Sequence, residues 1–230
     1  MMPSIVSTAA MCSLGFDWLV VDLEHTAMSL GDAEQIFLTA EKYNVVPFAR
    51  LPSADPFQAR RLLDVGAQGL IIPVVQDPVA FKQFAAHCHY PPKGKRGLAL
   101  SRANLWGEEL TKYIQEFQPI LIPQIETQAG IDALADILKV EGAEGAFIGP
   151  YDLSLDLGMP GDFNQPKFLA AIEKFKKTCQ ASKKVFGAHQ VDPDYAALQK
   201  KIDEGNRLLV FGIDVMAIRK TFADLKKIKR

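Results

Sequence analysis

Short apolar runs alternate with helix-like segments along the whole chain. Each run is rich in branched side chains and is followed by a helix-like segment, the pattern expected of buried parallel strands joined by helices. The runs lie at residues 18–22, 45–50, 69–73, 119–125, 145–151, 184–189 and 207–211. Because no linker or low-complexity tract interrupts them, they predict a single α/β domain over residues 1–230, folded as a (β/α) barrel. No Gly-x-Gly-x-x-Gly follows the first run, which disfavours a dinucleotide-binding sheet.

The first strand of an eight-stranded TIM barrel is missing from this pattern or altered. Such a barrel normally begins with a strand, whereas residues 1–14 have the pattern of a helix that precedes the first run. We therefore expect a (β/α)8-type barrel in which seven strands can be recognised.

Charge and cysteine content narrow the class of protein. The formal net charge of −1 gives no reason to expect nucleic acid or an anionic membrane surface as a partner. Cys12, Cys88 and Cys179 are widely scattered and lack CxxC spacing, which argues against a disulfide framework and fits a reducing compartment. No segment reaches transmembrane length, and the N-terminus lacks a basic-then-apolar signal. These features predict a cytoplasmic protein without a membrane partner.

Two carboxylates directly follow apolar runs and are candidate metal ligands. Glu126 follows residues 119–125, and Asp152 follows residues 145–151. The carboxyl ends of parallel strands meet at one face of a barrel, where working groups are placed. Two hard oxygen ligands on neighbouring strands suit a divalent cation that keeps open positions for a substrate. Either residue alone could be a solvated loop acid, but their recurrence in successive units favours a shared site.

A histidine and an arginine follow two other strands. His25 lies beside Asp22 and Glu24, and a carboxylate neighbour can orient a histidine that acts as a general base. A loop histidine beside helix-capping acids is the alternative. Arg50 ends the second run, where a cation is costly unless it meets an anion. Its guanidinium suits a carboxylate or a developing enolate oxygen, although it could also pair with Glu24.

Three further positions have less specific patterns. Gln124 precedes Glu126 by two residues, so both side chains face the same way on a strand, either toward the metal pocket or into the barrel core. Asp64 falls at a helix C-terminus, where the dipole disfavours an acid without a partner, and spacing alone predicts a surface or interface residue. His189 closes a strand and is a candidate to line the pocket.

Two other residue types are expected to take no part in the chemistry. His87 and His89 lie at a helix end, away from any strand terminus, and are predicted to be surface histidines. No lysine lies inside an apolar run, as a desolvated Schiff-base lysine would need to. A metal ion is therefore the more suitable electron sink for carbon-carbon chemistry.

Several motifs, in this order and spacing, resemble the class II pyruvate aldolases of the HpcH/HpaI group. They are GFDW (15–18), DLEH (22–25), LLDVGA (62–67), YPPKGKRG (90–97), QIET (124–127) and FIGPYDLS (147–154). The resemblance runs from about Gly15 to the last strand and helix. Such a series is specific for the superfamily and much less so for the substrate.

The resemblance implies an assembly and a metal centre. The fold would be a TIM barrel of the phosphoenolpyruvate/pyruvate-domain type. It would form a homohexamer, a trimer of dimers, in which C-terminal helices (about residues 213–230) are exchanged between subunits. Glu126 and Asp152 would bind Mg²⁺, Mn²⁺, Co²⁺ or Zn²⁺. Pyruvate would bind that ion through its carboxylate and keto oxygens.

The resemblance also implies roles around the metal. Gln124 and the backbone near Tyr151 would hold the substrate, and Arg50 would steady the enolate oxygen. His25 would be the base, and Asp22 would contact a metal-bound water. A family aspartate that reaches an adjacent subunit's histidine and raises its basicity corresponds to Asp64.

Three departures from the family pattern bear on specificity and barrel closure. The usual opening strand and Ser-Pro segment have no counterpart here. Residues 96–104 form a shorter stretch than the family's glycine-rich loop, which can alter the choice of aldehyde. Tyr151 is bulkier than the small residue common at its position and would narrow the pocket.

The predicted activity is that of a carbon-carbon lyase. It would cleave a 4-hydroxy-2-oxo acid into pyruvate and an aldehyde through a metal-stabilised enolate. Decarboxylation of oxaloacetate or a related 2-oxo acid would use the same site. A catalytically impaired barrel that serves as a binding or assembly subunit is the third possibility that the sequence leaves open.

Overall fold

Seven parallel strands form a sheet in which the spatial order is the same as the order in the sequence. The computed structural model describes residues 2–228, apart from the side chain of Lys226. The strands are β1 Trp18–Asp22, β2 Val46–Arg50, β3 Gly69–Ile72, β4 Ile120–Ile125, β5 Gly145–Ile148, β6 Val185–Gln190 and β7 Leu208–Phe211. Each strand pairs in parallel with the next. The predicted parallel α/β barrel is confirmed, with the seven expected strands.

Helices connect the strands and cover the outside of the sheet. They are α1 Ile5–Cys12, α2 Leu30–Lys42, α3 Pro56–Asp64, α4 Pro78–Cys88, α5 Leu110–Glu116, α6 Gln128–Ile137, α7 Pro150–Asp156, α8 Pro166–Ala181, α9 Tyr195–Asp203 and α10 Asp214–Thr221, with 3-10 turns at Arg102–Gly107 and Ala223–Lys227. Asp55 and Asp77 cap α3 and α4, each just before a proline at the first helical position. Asp-Pro pairs of this kind set the start of a helix, because the carboxylate accepts a free backbone N–H and proline is already bent for the first turn.

Alternation along the strands divides the apolar side chains into two cores. One core lies between the sheet and the helices and includes Ala49, Leu70 and Ile148. The other fills the barrel and is built from Phe48, Ile71, Ile122 and Phe147, with several partly buried residues packed against it. Neighbouring strand residues therefore serve opposite faces, as the period of two requires.

The barrel is nearly closed but has a seam between its first and last strands. Among residues 2–228, β1 and β7 pair with β2 and β6 but not with each other. Trp18 and Val20 of β1 and Leu208 and Val210 of β7 are only partly buried, and they pack against the core inside the barrel. This arrangement agrees with a TIM-like barrel that lacks one strand.

Two features differ from the sequence-based expectations. Helix α7 was not expected, because its seven residues directly follow the apolar run of β5. His89 is 4% exposed, so the prediction of a surface histidine is wrong. The backbone turns inward after α4, with extended dihedrals at His89, whose carbonyl accepts a hydrogen bond from Arg96 N at 2.8 Å.

The C-terminal region is helical over a shorter range than expected. Helix α10 ends at Thr221 and a 3-10 turn follows, while residues 229–230 of the predicted helix lie outside the described residues. Exchange of this region between subunits stays a prediction. Between Met2 and Ile228, no helix is both long and apolar enough to cross a bilayer.

Candidate active site at the barrel mouth

Asp22 and Arg50 form an ion pair at the carboxyl ends of β1 and β2, which are paired at this position. Arg50 Nε donates to Asp22 Oδ1 at 2.9 Å, and Arg50 Nη2 donates to Asp22 Oδ2 at 2.6 Å. Burial alone would raise the pKa of Asp22, but the hydrogen bonds and charge of Arg50 hold that pKa below its usual value. The pair is thus ionised and fixed in orientation, as a bidentate guanidinium–carboxylate contact allows.

Glu24 is a second acid on the same guanidinium. Arg50 Nη1 lies 3.3 Å from Glu24 Oε2, and the Glu24 side chain is 16% exposed. Burial raises the pKa of Glu24, against the opposing charge of Arg50. The sequence suggested Glu24 as a partner for Arg50 or as a neighbour that orients His25, and the structure shows that it shares Arg50 with Asp22.

His25 lies at the edge of this cluster and is open to solvent. Its Nε2 is 3.5 Å from Glu24 Oε2, and its side chain is 61% exposed. The backbone N–H of His25 donates to Asp22 Oδ1 at 3.4 Å. The structure therefore brings the histidine beside a carboxylate that can orient it. Its role as a base stays a prediction.

Glu126 is buried at the end of β4 and is held by two donors. Gln124 Nε2 donates to Glu126 Oε1 at 2.5 Å, and the backbone N–H of Val74 donates to Glu126 Oε2 at 2.8 Å. Burial raises the pKa of Glu126, and these two hydrogen bonds oppose the rise. Val74 has φ +51°, a left-handed conformation that is unfavourable for a β-branched residue, and this turn places its N–H against the carboxylate.

Gly149 is needed for the close approach of β5 to Glu126. A Cβ atom at position 149 would lie 2.5 Å from Glu126 Oε1 and 2.6 Å from Glu126 Cγ. Such contacts are shorter than packed atoms tolerate, so any other residue here would displace the carboxylate. Nothing in the sequence indicated this contact.

Asp152 lies in the first turn of α7, not at the strand end itself. The dipole of a helix favours a negative charge in its first turn. Burial is the largest cause of the raised pKa values of Glu24 and Glu126, and the charge of Asp152 adds to both increases. The mouth therefore joins Asp22, Arg50, Gln124, Glu126 and Asp152, which the sequence placed on four different strand-helix units.

This set of groups fits a divalent cation as an incomplete site. Glu126 and Asp152 supply hard oxygen donors, and buried Gln124 Oε1 has no hydrogen-bond partner in the described chain. A cation would offset the repulsion among the acids. Across residues 2–228, however, no group of three or more His, Cys, Asp or Glu side chains is arranged to hold a metal ion. Further ligands would have to come from substrate or water, as in catalytic metal sites with open positions.

Tyr151 and Asp64 lie in different surroundings. Tyr151 is exposed at the start of α7, and its ring meets the edge of Phe163 at 5.1 Å between centroids. Asp64 ends α3 and pairs with Arg96, with 2.6 Å between Asp64 Oδ1 and Arg96 Nη2. This pair supplies the partner that an acid at a helix C-terminus needs. Helix α3 ends where the chain enters β3, at the opposite end of the barrel from the mouth of the same chain.

Known proteins resemble this chain in sequence and in fold. A family model for HpcH/HpaI aldolase/citrate lyase matches residues 2–221. A hydroxypyruvate/pyruvate aldolase from Roseovarius nubinhibens is 35% identical over 219 residues, covering 94% of this chain and 84% of the relative. A 4-hydroxy-2-oxo-heptane-1,7-dioate aldolase from Salmonella heidelberg is 34% identical over 212 residues, covering 90% of this chain and 80% of the relative.

A solved structure shows the same fold over nearly the whole chain. It is an HpcH/HpaI aldolase/citrate lyase family protein from Burkholderia cenocepacia. It superposes with a TM-score of 0.90 at 27% identity, covering 98% of this chain and 91% of that chain.

Proposed function

The chain belongs to the HpcH/HpaI aldolase/citrate lyase family, a family of class II pyruvate aldolases, and from this we propose that it cleaves a 4-hydroxy-2-oxo acid into pyruvate and an aldehyde. The observation that carries the proposal is the set of charged groups at the barrel mouth. The Asp22–Arg50–Glu24 cluster follows β1 and β2, whereas Glu126 and Asp152 follow β4 and β5. An oxo acid between them would meet a fixed cation on one side and oxygen ligands for a metal on the other.

Arg50 stabilises the negative charge that develops on the keto oxygen. Two of its nitrogens are occupied by Asp22, and its Nη1 is held only by the longer contact with Glu24. The guanidinium is therefore oriented before substrate arrives, and its charge acts in a partly buried site where it is screened weakly.

A divalent cation held by Glu126 and Asp152 would act as a Lewis acid that polarises the keto group of the oxo acid. Mg²⁺, Mn²⁺, Co²⁺ or Zn²⁺ would suit these ligands. Gln124 positions Glu126 through its amide N–H, and its free Oε1 is available to a donor on the bound substrate or water.

His25 moves the protons in this proposal. In the cleavage direction it accepts the proton of the 4-hydroxyl, the bond between C3 and C4 breaks, and the aldehyde leaves. The electron pair stays on the pyruvate fragment as an enolate. That enolate takes the proton back from His25 at its terminal CH2 carbon, which becomes the methyl group of pyruvate. Synthesis follows the same steps in reverse.

The relatives suggest the class of substrate, and the family resemblance implies an assembly. The two relatives named above are a hydroxypyruvate/pyruvate aldolase and a 4-hydroxy-2-oxo-heptane-1,7-dioate aldolase, and we extend an oxo-acid donor to this chain on that basis. We also propose a homohexamer with exchanged C-terminal segments. A cytoplasmic location is proposed from the three cysteines, all free and buried, which suit a reducing compartment.

Exchange of the pyruvate methyl protons in deuterated water tests this function without knowledge of the aldehyde. Purified protein with Mg²⁺ or Mn²⁺ should deuterate the methyl group, as followed by proton NMR, and chelation should abolish the exchange. A second assay should detect pyruvate release from a 4-hydroxy-2-oxo acid. Tightly bound metal without exchange would instead support the binding-subunit alternative, and carbon dioxide release from oxaloacetate without aldehyde release would support a decarboxylase.

A further inference from the structure

His189 faces the inside of the barrel at the mouth. Along β6, Phe186 and Ala188 pack in the core between sheet and helices, so Gly187 and His189 point the opposite way. His189 is partly buried and is paired with Val210, whose side chain packs against the interior core. Strand β6 also lies next to β5, which leads into Asp152.

Two charged residues of the proposed active site affect the pKa of His189. Burial lowers the pKa of His189 and the hydrogen bond to Gly212 opposes this, while the charge of Arg50 lowers that pKa and the charge of Asp22 raises it by smaller amounts. Arg50 and Asp22 stand on β2 and β1, and only β7 and the seam lie between β1 and β6. A molecule bound between Arg50 and Asp152 would therefore have His189 at its flank.

A single hydrogen bond fixes the ring of His189. Its Nε2 lies 3.0 Å from the carbonyl oxygen of Gly212, in the loop that follows β7. A carbonyl oxygen only accepts, so Nε2 must carry the proton. In the neutral ring Nδ1 is then an acceptor, and the described residues give it no hydrogen-bond partner.

We propose that His189 is a specificity-determining residue that accepts a hydrogen bond from a hydroxyl group on the aldehyde partner. This inference rests on the proposed aldolase function and adds the class of acceptor, a short hydroxyaldehyde. An unsubstituted aldehyde would leave Nδ1 unpaired. An acidic aldehyde would meet the surrounding carboxylates and a ring nitrogen that cannot donate to it.

Glycolaldehyde and propionaldehyde are the probes, because they have similar size and differ by a hydroxyl group in place of a methyl group. The readout is the ratio of their kcat/KM values for addition to pyruvate. Since both values come from one preparation, a reduced amount of folded protein cancels from the ratio. The wild-type enzyme should prefer glycolaldehyde, and His189→Leu should lower the ratio by roughly 10-fold, the size expected for one hydrogen bond.

Two conservative variants separate recognition from anchoring. In His189→Asn the side-chain oxygen can take the place of Nδ1, whereas in His189→Gln the amide nitrogen can take the place of Nε2 and keep the bond to Gly212. The proposal expects the asparagine variant to retain most of the preference and the glutamine variant to lose it. The opposite order, or a ratio that none of the three variants changes, would overturn it.

Measuring methyl proton exchange of pyruvate distinguishes failure of the His189 proposal from failure of the aldolase proposal. A wild-type enzyme that catalyses no exchange overturns the aldolase proposal and the role of His189 with it. Exchange with no preference for glycolaldehyde overturns the role of His189 alone.

Discussion

Arg96 makes an ion pair with Asp64 at 2.6 Å although the Arg96 side chain is 0% exposed. Its guanidinium carbon lies 4.6 Å from the centroid of Tyr90, 5.7 Å from that of Tyr113 and 5.6 Å from that of Phe117. A cation enclosed by three rings joins the loop after α4 to the end of α3. The cation–π contacts and the ion pair together offset the cost of removing the guanidinium from water.

Breaking this pair should destabilise the fold. We expect Arg96→Met to lower the free energy of unfolding by about 3 kcal/mol, because Asp64 loses its partner at a helix C-terminus. Urea denaturation at neutral pH measures the change. Lys139→Ala is the control, since Lys139 makes a pair with Asp136 in which both side chains are more than half exposed; it should cost under about 0.5 kcal/mol. Equal effects for the two variants would contradict the structural role of Arg96.

Glu126→Gln should weaken binding of Mn²⁺ by about 100-fold or more. The substitution keeps the shape of the side chain and removes the charge that the cation needs. Isothermal titration with the metal-free protein measures the affinity. Glu144→Gln, at an exposed pair with Lys184, should leave the affinity within about twofold. Unchanged affinity in Glu126→Gln would refute the assignment of this ligand.

Gly149→Ala should affect the same carboxylate from the backbone side. The added methyl group would meet Glu126 Oε1, so we expect lower metal affinity and slower methyl exchange of pyruvate. Gly31→Ala is a suitable comparison, because its nearest contact to an added Cβ is Ser29 Oγ at 3.7 Å. If both alanine variants bind metal as the wild type does, the close approach of Gly149 to Glu126 is not needed for metal binding.

His25→Ala should reduce methyl proton exchange by about 100-fold or more while metal affinity stays close to that of the wild type. Exchange and metal affinity should respond differently because His25 is exposed beside Glu24 and is not one of the two proposed metal ligands. His87→Ala serves as a matched control on α4 and should exchange normally. Loss of metal in His25→Ala would show that the histidine is a ligand.

Acid should destabilise the protein partly through His89. Burial lowers the pKa of His89 in the folded chain, so near and below its usual pKa the unfolded chain binds a proton that the folded chain does not. Stability is therefore retained above about pH 6.5 and falls as the pH drops toward the lowered pKa. Urea midpoints at pH 8 and pH 5 should differ less in His89→Gln than in the wild type. A pH dependence identical in both proteins would exclude this contribution.

Periodicity was sufficient to predict the strands and most helices, because strand residues that face two different cores leave long apolar runs. It also predicted that Gln124 and Glu126 would share a face, which follows from the period of two. Helix α7 was missed because it begins inside the apolar run 145–151, and its Leu153 and Leu155 are as apolar as the strand before it. Pro150, with an acid two residues later, was the available signal for its start.

Contacts between distant segments were beyond the reach of the sequence. The N–H of Val74 on Glu126 depends on a left-handed residue that no local preference indicates. The burial of His89 depends on packing, since Gly142 would clash with its Nε2 if it carried a Cβ atom. The ion pair between Asp64 and Arg96 joins residues 32 positions apart in the sequence.

Because β1 and β7 are not paired, the ring of strands around the mouth is open on one side. In a closed ring of strands, separating any two neighbours breaks backbone hydrogen bonds. Within residues 2–228, β1 and β7 can move apart without breaking any strand pairing between them. Asp22 lies at the end of β1, on one side of the seam. Gly212, which accepts the hydrogen bond of His189, follows β7 on the other side. Near the mouth, the distance between β1 and β7 is therefore set by side chains further along the strands, such as Val20 and Val210, which pack against the interior core. The volume of these side chains therefore influences the distance between the two sides of the pocket.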